Sequence, residues 1–268
     1  MPPRSRKLPR QVRGPVEPEP EAAAPRKADR VARDVLARIV SGELAIGTIL
    51  PREDELAAHY KVNRGVVREA VKLLEVHRLV RPVRRRGTVV LDAHASMSPE
   101  VLAAMLAPQP GHVDRHVLGA FLEVRAIIDA EMTSLAATRR TQADVRAMRA
   151  VLAELEDALG EPARYARLGQ QLGRLVARAS QNPLFEMLGA YNVRVANELE
   201  SILSVARPPS RAHLDGLGLL VRLVDKKDAD GARRIVQSFH AWAIPRILAT
   251  AALASGAPPA RLTKDRSS

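Results

Sequence analysis

Within the stretch KVNRGVVREAVKLL, Lys61, Arg64, Gly65, Arg68 and Lys72 fall at i, i+3, i+4, i+7 and i+11. That spacing puts all five on one face of a helix, while Val62, Val66, Val67, Ala70, Val71 and Leu74 occupy the remainder and can be buried. An arginine presents a planar fork that matches O6 and N7 of guanine, and lysine suits phosphate oxygens. Gly65 lets the helix approach a base or a backbone closely, and Asn63 either caps the helix or contacts a phosphate. A second cationic cluster follows at Arg84, Arg85 and Arg86, ahead of Gly87. Residues 61–88 hold nine basic side chains against two acidic ones. Such an excess favours polyanions, nucleic acid first and anionic lipid second. The competing reading is an ordinary solvated basic face, and the arginine-tipped turn weighs against it.

Several elements are needed to position these groups. Asp29 is expected to cap a helix with the apolar face Val31, Val35, Leu36, Ile39 and Val40, stopped at Ser41-Gly42. GELAIGTILP reads as a loop with a short extended piece, and a second helix runs from near Arg52 through DELAAHY. The cationic segment is the third helix, from Asn63 to about Val76. RLVRPVRRRGTVVLD then gives two short β-rich runs around a turn, with glycine at its tip. Helix, short helix, helix and hairpin make a winged helix-turn-helix, whose third helix enters the major groove.

Beyond residue 98 the pattern is helical, with expected segments near 99–107, 114–138, 142–159, 163–181, 184–206, 210–226 and 228–253. The fold class is therefore mainly α: an N-terminal winged helix-turn-helix and a C-terminal antiparallel bundle of six or seven helices. The domain boundaries are a basic tail without structure at 1–28, the winged domain at 29–92 and a linker at 93–98. The helical domain follows at 99–254, and a polar tail at 255–268.

Composition closes off other classes. The 268 residues include no cysteine, which excludes disulfides, thiolate metal sites and a thiol nucleophile. No apolar stretch approaches the ~20 residues of a membrane span, and no apolar segment follows the N-terminal basic residues as a secretory signal requires. A cytoplasmic location is expected. There is no phosphate-binding glycine loop, nucleophile elbow or histidine pair on one helix, so an enzyme is not expected. The net charge of +12 is uneven, since residues 1–92 carry 20 Lys/Arg against 12 Asp/Glu and the remainder 22 against 18.

The run from Gly42 to Val90 resembles the DNA-binding domain of the GntR family of bacterial transcription regulators. The resemblance rests on Gly47, Leu50-Pro51, Glu53, Glu55-Leu56-Ala57, Val62, Arg64, Val67-Arg68-Glu69-Ala70, Leu73, Leu79 and Gly87-Thr88. It implies that Arg64 and Arg68 contact an operator and that the wing glycine lies close to DNA. The expected interface comprises Arg52, Lys61, Asn63, Arg64, Gly65, Arg68, Arg85, Arg86 and Gly87. One departure stands out: Asp54 occupies a position where the family carries a DNA-contacting arginine. An acid there repels phosphate, and Arg52 would compensate only from another side of its helix.

Residues 99–253 resemble, more loosely, the effector domain of the FadR subgroup. The shared stretches are Phe121-Leu122-Glu123-Val124-Arg125, Ala179-Ser180-Gln181-Asn182-Pro183-Leu184 and the Asp228…Ala232…His240 ending. Many relatives bind a divalent metal with an Asp and three His, but the matching positions here are Gly169, Gly173, Leu217 and either Phe239 or His240. The resemblance therefore implies neither metal nor cofactor. Glycines at 169, 173, 189, 216 and 218 are explained either by close helix packing or by room for a bulkier effector. Arg125, Gly169, Gly173 and His240 are the effector candidates. For Arg125 the competing reading is an i,i+4 ion pair with Asp129, and for His240 a core or surface histidine. His213 reads as a helix-start residue, and Phe239 and Trp242 as core.

Together these readings imply a homodimeric repressor-type regulator bound to a palindromic operator in double-stranded DNA. A fatty acid, acyl-CoA or organic acid would modulate it, with no membrane partner. The alternative is an architectural or nucleoid DNA-binding protein that needs no effector.

Overall fold

The computed structural model describes residues 26–96, 98–107 and 112–254. Residues 1–25 of the tail expected at 1–28, the tail at 255–268 and Met97 of the linker lie outside the described residues, while Lys27 and Ala28 open the first helix. The chain begins with α1 (Lys27–Val40), α2 (Glu53–Tyr60) and α3 (Arg64–Val76), followed by strands β1 (Val80–Val83) and β2 (Gly87–Val90). The start of α1 departs from expectation. Asp29 is not the cap but lies one turn inside, where its carboxylate accepts from the Arg26 backbone N–H at 3.0 Å. An acid in the first turn serves the orphan amides and the helix dipole from either position, so the sequence signal is offset by a few residues.

Val31, Val35, Leu36 and Ile39 of α1 bury against Ala70 and Leu74 of α3, with Leu79, Val80 and Val90 closing the small core. On its other side α3 packs Val67 against Leu56 and Ala57 of α2. The hairpin pairs antiparallel, with Val80 opposite Val90 and Val83 opposite Gly87. The extended piece before α2 joins it, because Leu50 N–H donates to the Thr88 carbonyl at 2.8 Å and Val90 N–H to the Thr48 carbonyl at 2.9 Å. Gly87 is fixed by its backbone. Its φ of +105° disfavours any side chain, and a Cβ there would stand 3.0 Å from Ile49.

The expected linker is partly ordered: Ala93–Ala95 forms a single 3-10 turn capped by Asp92. Eight further helices follow among the described residues, α4 (Pro99–Leu106), α5 (Arg115–Arg139), α6 (Gln142–Asp157), α7 (Pro162–Ala179), α8 (Pro183–Glu198), α9 (Glu200–Ala206), α10 (Arg211–Asp225) and α11 (Ala229–Ala254). The mainly helical architecture holds. The count exceeds six or seven because the segment expected as one helix over 184–206 divides at Leu199. Leu199 turns its N–H to the Ala196 carbonyl and buries its side chain. No glycine or proline marks that break, so tertiary burial decides it.

The helical domain has two apolar centres. One joins α5, α6, α7 and α10 through residues such as Met148, Leu155, Leu172 and Val221. The other joins α4, α5, α8, α9 and α11 through Leu106, Leu118, Val195 and Ile247. Helix α4 serves both domains: Val101 buries in the winged-domain core, whereas Leu106 buries in the helical core. No described helix is long and apolar enough to cross a membrane.

Candidate nucleic-acid interface and effector site

The turn between α2 and α3 assigns the cationic residues their places. Lys61 ends α2 in the left-handed conformation, with φ 52°, and therefore does not extend the face of α3. Asn63 is the cap: its side-chain oxygen accepts from the Val66 N–H at 2.9 Å. That choice also accounts for Gly65, because a Cβ there would press on the Asn63 Oδ1 at 3.2 Å. Arg64, Gly65, Arg68 and Lys72 stand exposed on one face of α3, while Val67, Ala70 and Leu74 are buried. Arg52 caps the start of α2, its N–H donating to Glu55, and its side chain is exposed.

The hairpin places Arg84, Arg85 and Arg86 at an exposed tip. Arg85 takes φ 63° and the Arg86 N–H returns to the Val83 carbonyl at 3.0 Å, which closes the turn. Three exposed cations thus stand together at the end of the hairpin.

The arginines of α3 are not free. Arg68 Nε donates to Glu53 Oε2 at 2.7 Å, and Arg64 lies 3.8 Å from the Asp54 carboxylate. All four side chains are largely exposed, so each pair is worth only ~0–1 kcal/mol and opens readily. Asp54 therefore sits against the guanidinium expected to read a base. Replacing it with asparagine should raise DNA affinity, by up to about fivefold, as one like-charged neighbour of the phosphates is removed. Titration of labelled DNA at two salt concentrations checks this; unchanged affinity at low salt would mean that Asp54 lies outside the interface.

In the helical domain Arg125 and His240 meet through a shared partner. Arg125 Nε donates to Asp129 Oδ2 at 3.2 Å, and His240 Nε2 lies 3.1 Å from the same oxygen. Burial pulls the Asp129 carboxyl upward, but the His240 hydrogen bond and the Arg125 charge prevail and hold it below the usual carboxylate range. Gly169 is half-buried and Gly173 exposed on α7, and a Cβ at either would meet nothing within 4 Å. The same holds for Gly216, so close packing does not explain these three. At Gly189 and Gly218 a Cβ would meet Ala177 at 3.5 Å and the Arg222 guanidinium at 3.4 Å, which is near contact. Among the described residues no three His, Asp or Glu side chains gather as a metal site.

A groove of about 360 Å³ lies between α10 and α11, lined by His213, Gly216, Leu217, Leu220, Phe239 and Trp242 among others. Neither Gly169 nor Gly173 lines it. His213 is more than a helix-start residue: its ring stacks on Phe239 at 5.3 Å between centroids, and Nδ1 lies 3.1 Å from the Tyr165 hydroxyl. Trp242 is no core residue; it is 42% exposed at the groove. Burial, aided by the charge of Arg207, pushes His213 down to about 4 from 6.5. Below pH 6.5 the unfolded ring takes a proton that the folded ring refuses until about 4, so stability falls as pH falls through that window. His213→Phe should flatten that acid limb of the melting-temperature profile, and an unchanged limb would refute the assignment. Arg207 is not among the expected site residues. Its only sequence signal is the position before Pro208-Pro209.

Residues 27–90 match the profile of the gntR family of bacterial regulatory proteins, and residues 120–240 that of the FCD domain. The chain belongs to the GntR family. Among curated relatives, this GntR protein is 32% identical over 155 residues to the transcriptional regulator LutR of Bacillus subtilis, covering 56% of the chain and 66% of that protein. It is 30% identical over 137 residues to the galactonate operon transcriptional repressor of Escherichia coli, covering 50% and 56%. The GntR chain thus spans a little over half to about two thirds of the length of these relatives. A solved structure titled for Lar, which controls expression of the agr system of Listeria monocytogenes, aligns over 84% of the chain and 98% of its own. The TM-score is 0.56 at 16% identity, a likeness of fold. The relatives are named as transcriptional regulators, and none as an enzyme. The helical-domain match is to the FCD domain and not to FadR itself.

Proposed function

We propose that the protein is a homodimeric, sequence-specific transcriptional repressor whose operator binding is controlled by a small acidic or acyl effector. The observation that carries the reading is the Asn63-capped α3, which exposes Arg64, Gly65, Arg68 and Lys72 beside a wing tipped by Arg84, Arg85 and Arg86. Arg64 and Arg68 read base edges after leaving their acidic partners, and the wing arginines, with Arg52 and Lys61, hold phosphates. A single winged domain makes few base contacts, so two act on half-sites of a palindrome. The name of the galactonate operon repressor supports an organic acid as one effector class. Arg125 and His240, held together by Asp129, and the space beside Gly169 and Gly173 belong to the effector module.

Control runs through α4. The effector favours one arrangement of the bundle, α4 carries it to the core under α1 and α3, and the two winged domains change their spacing. Only a difference in effector affinity between the two states drives this. An effector-independent architectural protein is disfavoured by Glu53 and Asp54, which neutralise cations such a protein would leave free. Footprinting on DNA selected from a random pool tests the reading. Two protected stretches about one helical turn apart are expected, and uniform protection along the fragment would contradict it.

A further inference from the structure

The first two turns of α1 carry a cationic row with no role in the α3–wing interface. Arg26, Lys27, Arg30 and Arg33 are exposed, and none of them forms an ion pair among the described residues. The two acids of these turns are engaged elsewhere: Asp29 accepts from the Arg26 backbone N–H, and Asp34 accepts from the Tyr60 hydroxyl. Lys27, Arg30 and Asp34 fall at i, i+3 and i+7, one stripe of the helix, so the bond to Tyr60 fixes which neighbour that stripe adjoins. Tyr60 is the last residue of α2, and Lys61, Val62 and the Asn63 cap of α3 follow it directly.

The two ends of α1 face different parts of the molecule. Ile39 and Val40, in its last turn, line a pocket together with Met105 of α4. Helix α3 is oriented alike, because His77, which ends it, stands 3.9 Å from Glu100 of α4. Both helices therefore begin on the side away from the helical domain. They have 14 and 13 residues, so at ~1.5 Å per residue their first turns lie about 20 Å from α4. Arg64 opens α3 at that end, and Lys27 and Arg30 stand in the opening turns of α1 at the same end.

A basic helix face is ordinarily just solvated. Here position adds to charge, since the row stands beside the turn that leads into α3 and no carboxylate neutralises it. We propose that this face of α1 is a second grip on DNA, in which Lys27, Arg30 and Arg33 hold backbone phosphates flanking the half-site contacted by α3. This rests on α3 being the face set on DNA. Flexible cations without protein partners suit phosphate oxygens, and such contacts fix orientation without carrying sequence information. The row therefore lengthens the contacted DNA and leaves base preference to α3.

The test compares the full-length protein with a Lys27→Gln, Arg30→Gln, Arg33→Gln variant on two duplexes. Both carry a palindrome selected from random DNA; one stops at its ends, and the other adds about ten base pairs of scrambled sequence, one helical turn, on each side. The unaltered protein should bind the longer duplex about tenfold or more tightly at low salt, and the triple variant should bind the two alike. On the longer duplex the variant's salt dependence should flatten by about one unit for each phosphate released, with base preference unchanged. Arg167, Arg174 and Arg178 are exposed on α7, and changing all three to glutamine should leave the dependence on length in place. Equal length dependence in the unaltered protein and the α1 variant would overturn the proposal, as would an equal loss in the α7 variant. Loss of binding to phosphatidylserine vesicles, with no change on DNA, would assign the row to a lipid surface and also overturn it. Failure of operator reading gives a different result. A scrambled duplex bound as tightly as the palindrome, yet more weakly by the α1 variant, would contradict sequence reading and keep the grip. Selective binding indifferent to the row would contradict the grip alone.

Discussion

Arg64→Ala should weaken operator binding by ~1–3 kcal/mol, about fivefold to 150-fold, and relax the base preference at one position of each half-site. The expectation follows from where the side chain stands. Arg64 is the first residue of α3, exposed beyond the Asn63 cap, and its tie to Asp54 is too solvent-exposed to compete with a guanine edge. Truncating Arg84 or Arg86 on the wing should behave differently. Affinity should fall for all sequences alike, and the salt dependence should flatten by about one unit for each phosphate the wing no longer holds. Binding isotherms for a half-site library, at two salt concentrations, distinguish the two patterns. If Arg64→Ala weakened every sequence equally, α3 would be holding backbone and not reading bases.

Leu74→Ala should have the largest effect on stability, although the residue touches no ligand. Leu74 is 2% exposed and fills the centre of the core beneath α3, in one cluster with Val35, Ile39, Leu79 and Val90. Removing a buried leucine side chain costs ~2–5 kcal/mol, combining the forfeited transfer energy with the cavity left behind. The helix that carries Arg64 and Arg68 owes its pose to that packing, so DNA binding should fall together with folding of the winged domain. Chemical denaturation followed by helix signal checks it. A destabilisation below about 1 kcal/mol would show that the small core repacks around the gap. The helical domain should keep its own transition, since its clusters lie elsewhere, apart from the connection through α4.

Much of the winged domain is legible in the sequence because its determinants are local. Asn63 announces the start of α3, Gly87 the wing turn, and the valines and leucines of 62–74 the buried face. Lys61 shows the limit of that logic. A wheel drawn through it places it with Arg64, whereas the left-handed residue that ends α2 breaks the helical count. Asp54 is legible as an acid out of place, but not its proximity to Arg64, which depends on how α2 packs against α3. The helical domain is harder to read. Leu199 divides a segment of good helix formers with no local signal, and the Asp129–His240 contact joins residues more than a hundred positions apart. The groups around the Arg207 side chain come from α5, α10 and α11. Its isolation from any hydrogen-bond partner at Nε is a property of the packed bundle.

The proposed interface combines α3 arginines paired with acids and a wing whose arginines show no ion pair among the described residues. On the proposed reading, non-specific attraction would reside mainly in Arg84, Arg85 and Arg86, and discrimination in α3. On that reading, such a division would let a chain of net charge +12 remain selective among sequences, since the α3 cations face Glu53 and Asp54 in the DNA-free protein.

The most direct test is the ratio of affinities for a palindromic site selected from random DNA and for a scrambled duplex of equal length, at physiological salt. A ratio of ~10³ or more, reduced toward unity by Arg64→Ala, is the predicted result. A ratio near one for the unaltered protein would contradict sequence-specific regulation.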